Sequence, residues 1–188
     1  MLTILQQIKH RYIFNVLDFD NNGYIEKADF IAIAENLCMV RGEETDTEES
    51  KDIMNQCMKL WEGLAYYIDE NNDKQCSLKE WFSFIEDRLI NSKSDEAPLF
   101  LNSTVKSIFD LYDVDSDGNI SWQEYLDIFL SFRLNASLVA KSFKTLDANN
   151  DKSLSRDELV NAISDFLISD DLELPGNWIF GNLYDQAA

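Results

Sequence analysis

A chain of 188 residues suits one domain, or two small halves around a shared interior, and 45% hydrophobic residues can fill that interior, which sets aside wholesale disorder. Sixteen Lys and Arg stand against 35 Asp and Glu; the resulting formal charge of −19 repels nucleic acid and anionic membrane surfaces and attracts cations or basic partners. No apolar run approaches the ~18–20 residues of a membrane span, Met1-Leu2-Thr3 offers no Gly for myristoylation, and no signal-peptide pattern follows, so a cytoplasmic protein without a membrane anchor is expected.

The first helical stretch contains His10, the sole histidine, and ends on Phe14 and Leu17. One unsupported histidine leaves no basis for a Ser-His-Asp or Cys-His nucleophile, nor for a Cys/His zinc site, so no catalytic residue is assigned. Residues Asp18–Asp29 then read DFDNNGYIEKAD, followed by Phe30, Ile33 and Leu37 at helical spacing. Residues 41–49 form an acidic connection in which Thr45-x-x-Glu48 fits a capping box. The next helix carries one stripe: Ile53, Cys57, Leu60, Trp61, Leu64 and Ile68. Asp69–Glu80 reads DENNDKQCSLKE and leads into Trp81. Residues 91–98 make a short bend, with Pro98 suited to the first position of a new helix. Phe109 and Tyr112 precede Asp113–Glu124, DVDSDGNISWQE, after which Tyr125, Ile128 and Phe132 recur helically. Phe143 and Leu146 precede Asp147–Glu158, DANNDKSLSRDE, with Leu159 after it. The tail Leu174–Leu183 is apolar and glycine-punctuated; exposing Trp178, Ile179 and Phe180 would be costly, so it reads as a lid folded onto the interior. Cys38, Cys57 and Cys76 are an odd set without C-x-x-C spacing and read as reduced thiols.

The four twelve-residue segments are one repeat, and they hold 16 of the 35 acids, so the negative charge is concentrated rather than spread. Each starts with Asp, has Asp or Asn third and fifth, an apolar residue eighth (Ile25, Cys76, Ile120, Leu154) and an acid twelfth. A hard cation wants six to eight oxygens at ~2.3–2.6 Å, and a short loop can wrap one if alternate residues face inward. In the calcium loops of the EF-hand superfamily, which these segments resemble, side-chain oxygens come from the first, third and fifth residues, a backbone carbonyl from the seventh, an oxygen usually through water from the ninth, and a closing carboxylate from the twelfth. The candidate ligands are therefore Asp18, Asp20, Asn22, Tyr24, Glu26 and Asp29; Asp69, Asn71, Asp73, Gln75, Ser77 and Glu80; Asp113, Asp115, Asp117, Asn119, Ser121 and Glu124; and Asp147, Asn149, Asp151, Ser153, Ser155 and Glu158. With a helix on each side, these segments resemble the calcium loops of the EF-hand superfamily.

The loops are not equal. The third matches the pattern throughout. The first closes with Asp29, one methylene shorter than Glu, which predicts a smaller shell and more tolerance of Mg2+, with Glu26 able to supply a compensating oxygen. The second and fourth place Lys74 and Lys152 at the sharply turning sixth position, where a left-handed backbone costs up to ~1–2 kcal/mol. The second is the weakest candidate, because Cys76 replaces a branched residue and Ala65 thins the incoming helix.

An Asp-closed first loop, the 51-residue step from Asp18 to Asp69, Leu60-Trp61-Glu62-Gly63-Leu64, and Gly176-Asn177-Trp178-Ile179-Phe180-Gly181 together resemble the invertebrate sarcoplasmic calcium-binding proteins and the related calexcitin. That resemblance implies an all-α fold, four EF-hands in two pairs packed into a compact globule with short β-pairing between loops. The pairs would divide as residues 1–92 and 93–188. Family members commonly keep three working loops, whereas this chain has plausible ligands in all four, so three to four Ca2+ are expected; four would take the charge from −19 to −11. The expected role is a monomeric, non-enzymatic calcium (and magnesium) buffer. A sensor exposing an apolar surface to a protein target is the alternative, and carriage of an apolar, luciferin-type ligand a lesser one.

Overall fold

The computed structural model describes residues 1–91 and 96–183. Among these residues eight α-helices and four three-residue strands make four helix–loop–helix units. In chain order they are α1 (Ile4–Leu17), β1 (Tyr24–Glu26) and α2 (Lys27–Arg41); α3 (Glu48–Ile68), β2 (Gln75–Ser77) and α4 (Leu78–Phe84); α5 (Glu96–Tyr112), β3 (Asn119–Ser121) and α6 (Trp122–Ser131); α7 (Val139–Leu146), β4 (Ser153–Ser155) and α8 (Arg156–Ile168). The expected boundary between residues 92 and 93, and most of the bend leading to Pro98, lie outside the described residues.

Local chemistry sets the helix ends. The Thr3 hydroxyl accepts the Gln6 amide while the Gln6 side chain accepts the Thr3 amide, a reciprocal cap on α1. The α3 cap differs from the sequence expectation: Thr47, not Thr45, accepts the Ser50 amide, and Glu48 and Glu49 then fall in the first turn, where the helix dipole favours them. Pro98 is the third residue of α5 rather than the first, a position also free of the need for an intrahelical N–H bond. After α4 the chain continues as a π-helical stretch, Ile85–Ile90, that the periodicity did not foreshadow.

The strands pair antiparallel, β1 with β2 and β3 with β4, and the eighth loop residues meet: Ile25 opposite Cys76, Ile120 opposite Leu154. All four are buried. Burying two apolar side chains across each pair offsets the exposure that a lone three-residue strand would suffer.

The two halves share one interior, as the aromatic content implied. Phe30, Ile33 and Leu37 of α2, Phe84 and Ile85 of the second unit, Phe129 of α6 and Phe166 of α8 are all essentially inaccessible and belong to one cluster. The helices meet across the halves as α2 on α6, α3 on α5 and α1 on α8.

The α1–α8 contact is polar. Gln6 Nε2 donates to Ile168 O (2.7 Å), Lys9 Nζ to Asp165 O (3.2 Å) and Ser169 O (3.0 Å), and His10 Nε2 to Leu167 O (2.9 Å). One face of α1 thus satisfies the last-turn carbonyls of α8. Lys9 and His10 are both 0% exposed.

The tail closes the core. A one-turn helix, Pro175–Trp178, lies across α8 and α7. A Cβ on Gly176 would run into the Ala162 carbonyl and the Asp165 Cβ, so glycine is needed there for close approach. Tyr125 Oη donates to Ile179 O and Tyr12 Oη to Phe180 O, both at 2.7 Å, and Phe180 meets Phe166 edge-to-face at 5.2 Å.

Candidate metal centres

Each acidic loop starts where an incoming helix stops. Asp18, Asp69, Asp113 and Asp147 follow α1, α3, α5 and α7, their amides still bonded to Phe14, Ala65, Phe109 and Phe143 carbonyls at 2.8–3.0 Å. The first Asp folds its carboxylate back onto the fifth and sixth amides. Asp18 accepts from Asn22 and Gly23 (both 2.9 Å), and Asp113 from Asp117 and Gly118 (both 3.1 Å). Asp69 accepts from Asp73 and Lys74, Asp147 from Asp151 and Lys152. The third residue (Asp20, Asn71, Asp115, Asn149) accepts the fifth amide, and the fifth (Asn22, Asp73, Asp117, Asp151) accepts the seventh. This ladder of Asx turns fixes the loop path by side-chain chemistry alone.

Two positions per loop are left-handed. Gly23, Lys74, Gly118 and Lys152 at the sixth have φ of 92°, 67°, 84° and 72°. Asn21, Asn72, Ser116 and Asn150 at the fourth have φ of 58–60°, a requirement the sequence reading missed although three of the four are Asn, the side chain that best tolerates it. At Gly23 and Gly118 nothing lies within 4 Å of where a Cβ would be, so lysine at this place meets no clash, only backbone strain. Lys74→Gly and Lys152→Gly should each stabilise the calcium-free protein by about 1 kcal/mol, strain relief outweighing the extra freedom of unfolded glycine. Urea unfolding with chelator present measures this; unchanged midpoints would show that the loops relax around lysine.

The loops close through helix caps. Ser77, Ser121 and Ser155 at the ninth position are the N-caps of α4, α6 and α8, and Glu80, Glu124 and Glu158 are the reciprocal partners, each Oε2 accepting the serine amide at 2.8–2.9 Å. In loop 1 Asp29 accepts the Glu26 amide at 2.7 Å. The S-x-x-E spacing that signals such a cap was available in the sequence and was read there only as ligand chemistry. A second clasp returns to the loop's start. Asp29 Oδ1 accepts the Phe19 amide (2.8 Å), Glu124 Oε1 that of Val114 (2.8 Å) and Glu158 Oε1 that of Ala148 (3.0 Å). In loop 2 this clasp is open, and Glu80 Oε1 is buried without a partner. Loop 2 is also the one whose second residue, Glu70, is charged.

Asp18, Asp20 and Asp29 each offer an oxygen within 4.8 Å of the others, and so do Asp113, Asp115 and Glu124. Among the described residues no other trio of His, Cys, Asp or Glu comes as close. Loops 2 and 4 carry Asn71 and Asn149 at the third place, which lowers the charge density. Asp29 is only 1% exposed, and burial pushes both its carboxyl and that of Asp18 above the usual range, partly opposed by the amides they accept. The seventh residues sit in the strands opposite the ninth of the paired loop: Tyr24 faces Ser77, Gln75 faces Glu26, Asn119 faces Ser155, and Ser153 faces Ser121. The sequence reading left Glu26 free to reach a cation. Its Oε2 accepts Gln75 Nε2 (2.8 Å) and its Oε1 Asn22 Nδ2 (3.3 Å), tying loop 1 to loop 2. The donors converging on each loop are all oxygens, with no imidazole or thiolate, which fits a hard divalent cation and not zinc.

Family models described as an EF-hand domain pair and an EF hand match residues 9–37 and 105–130. Calerythrin of Saccharopolyspora erythraea is 25% identical over 166 residues, 88% of this chain and 94% of that one. The sarcoplasmic calcium-binding protein of Hediste diversicolor is 30% identical over 162 residues, 86% of this chain and 89% of its own. The same fold is found in the coelenterazine-binding protein of Renilla muelleri, with a TM-score of 0.76, 22% identity, and coverage of 95% of this chain and 94% of that one.

Proposed function

The chain belongs to the sarcoplasmic calcium-binding protein family of EF-hand proteins, calcium-binding and not enzymatic, and on that premise we propose that it is a monomeric cytoplasmic calcium buffer. The ligands are the oxygens of the four loops already described, with Asp18, Asp20 and Asp29 and Asp113, Asp115 and Glu124 as the most charged sets. We assign three to four Ca2+, with loop 2 filling last because its clasp is open. Mg2+ competes best at loop 1, where the short Asp29 closes and Glu26 is engaged by Gln75. Bound calcium supplies positive charge among crowded carboxylates. The chain holds those carboxylates at fixed spacing with amides and caps.

The observation that carries the buffer reading is the sealed core. The tyrosine bonds to Ile179 and Phe180 hold the tail over the apolar interior, whereas a sensor would need a face to offer a target. Apart from Met1, Ile4 and Ile8 around the start of α1, exposed large apolar residues such as Met39, Tyr66 and Leu99 lie singly on different helices. Free Cys38, Cys57 and Cys76 suit a reducing compartment. The interior cavity, walled by Ile13, Leu60, Trp81, Phe100, Ile163 and Phe180, is ≈ 90 Å³. An apolar cavity of ~150 Å³ takes up benzene, so the smaller space here speaks against carriage of a luciferin-sized guest. A hydrophobic dye tests the assignment: its fluorescence should fall or stay level as calcium is added. A calcium-dependent rise would replace the buffer with a sensor.

A further inference from the structure

The strand pairs join loop 1 to loop 2 and loop 3 to loop 4, but a second set of polar contacts crosses the halves between the helices that leave loop 1 and loop 3. Helix α2 carries Asp29, which closes loop 1, and α6 carries Glu124, which closes loop 3; each is the third residue of its helix. Further along, these two outgoing helices are bolted together. Asn36 Nδ2 donates to both Leu130 O and Ser131 O at 2.9 Å, the terminal carbonyls of α6. Arg41, in the last turn of α2, pairs with Asp127 of α6 at 3.3 Å, and its Nη2 donates to Leu111 O of α5 at 3.2 Å. Arg41 and Asp127 are only 15% and 13% exposed, so solvent screens this pair less than a surface one. Arg41 thus grips the incoming and the outgoing helix of the third unit together, two residues before Asp113. A third contact returns to loop 1: the Arg133 guanidinium, held by a left-handed backbone (φ 55°), lies 3.6 Å from the centre of the Phe19 ring, and Phe19 donates its amide to Asp29.

We propose that Arg41, Asn36 and Arg133 are positioning residues that make loops 1 and 3 a cooperative pair across the halves, so that filling one raises the affinity of the other. The proposal rests on calcium binding at those loops, as assigned above. A change in the angle between α5 and α6 has to stretch one of Arg41's two bonds or move α2, and α2 carries Asp29. Coupling of this kind is reciprocal.

The sequence supplies its own reporters. Of six glycines, only Gly23 and Gly118 occupy sixth positions, and their amides donate to Asp18 Oδ2 and Asp113 Oδ2. Glycine-selective ¹⁵N NMR of the full chain during a calcium titration therefore reads loops 1 and 3 separately. Glu124→Gln should shift the Gly23 midpoint to at least ~5-fold higher calcium, and Asp29→Asn should shift Gly118 by a similar factor. In an Arg41→Met background, adding Glu124→Gln should move Gly23 by less than ~2-fold, the level of independent sites. Asp127→Asn gives the same test without touching α2, should Arg41→Met fold poorly. A Gly23 midpoint indifferent to Glu124→Gln, or a coupling intact in both Arg41→Met and Asp127→Asn, overturns the proposal. Gly23 and Gly118 signals that ignore calcium in the unmodified protein overturn the calcium assignment as well, a different result from titrating loops that are merely uncoupled.

Discussion

Stripped of calcium by a chelator, the protein is expected to melt ~10–20 °C lower than in millimolar calcium. A site held at 100 times its dissociation constant stabilises the fold by ~2.7 kcal/mol, so the two loops with clustered carboxylates alone contribute about 5 kcal/mol. In a chain of this length each kcal/mol moves the midpoint by ~2–4 °C. The cost removed is visible in the geometry: Asp18, Asp20 and Asp29 crowd their oxygens within 4.8 Å while Asp29 is almost fully buried, and burial already pushes the Asp18 and Asp29 carboxyls upward. Glu124→Gln should reduce the calcium-dependent increment more than Glu80→Gln, since Glu80 belongs to the loop with the open clasp. Scanning calorimetry with and without chelator decides the matter; coincident melting curves would remove calcium from the account.

His10 should make the fold acid-sensitive. A carbonyl only accepts, so the bond to Leu167 O places the imidazole proton on Nε2 and leaves Nδ1 bare, buried and without a partner. Burial is the chief reason its pKa is lowered to about 4; the Leu167 carbonyl opposes the shift and the neighbouring Lys9 charge adds to it. The unfolded chain therefore takes up a proton near pH 6.5 while the native one resists until about pH 4. Stability is unaffected by His10 above pH 6.5 and falls as pH drops through that window, by about 3 kcal/mol in all. His10→Gln keeps a donor for Leu167 O and cannot charge. With calcium saturating in both proteins, the pH-dependent loss measured by urea unfolding should be about 3 kcal/mol smaller in the variant, and acid effects on the loop carboxylates cancel in the difference. Parallel profiles for the two proteins would show that the buried ring is not an acid-sensitive element.

The repeat was readable because its chemistry is local. Oxygen-bearing residues at alternate places, an apolar eighth residue and helical stripes on either side all lie within about thirty residues, and they place the loops and the short pairing between them. What escaped the sequence depends on distant neighbours. His10 looked isolated because its partners, Leu167 and Trp81, are brought to it only by the fold. Arg41 read as part of an acidic linker, and its value comes from Asp127 and Leu111. The bond from Gln75 to Glu26 depends on the strand register that sets the two residues opposite one another. The left-handed fourth residue of each loop is a local signal, carried by Asn21, Asn72 and Asn150, but Asn is common in loops for other reasons and marks positive φ less sharply than glycine does.

The contact of α1 with the end of α8 has a bearing on how the chain is made. Lys9 emerges from the ribosome some 150 residues before the carbonyls that will receive it, and its ammonium group cannot enter an apolar interior alone. The Lys9 end of the first helix therefore gains its partners only once α8 has been made. With only the first two units made, that ammonium lacks the carbonyls that receive it, so this part of the interface between the halves closes after the fourth unit is present.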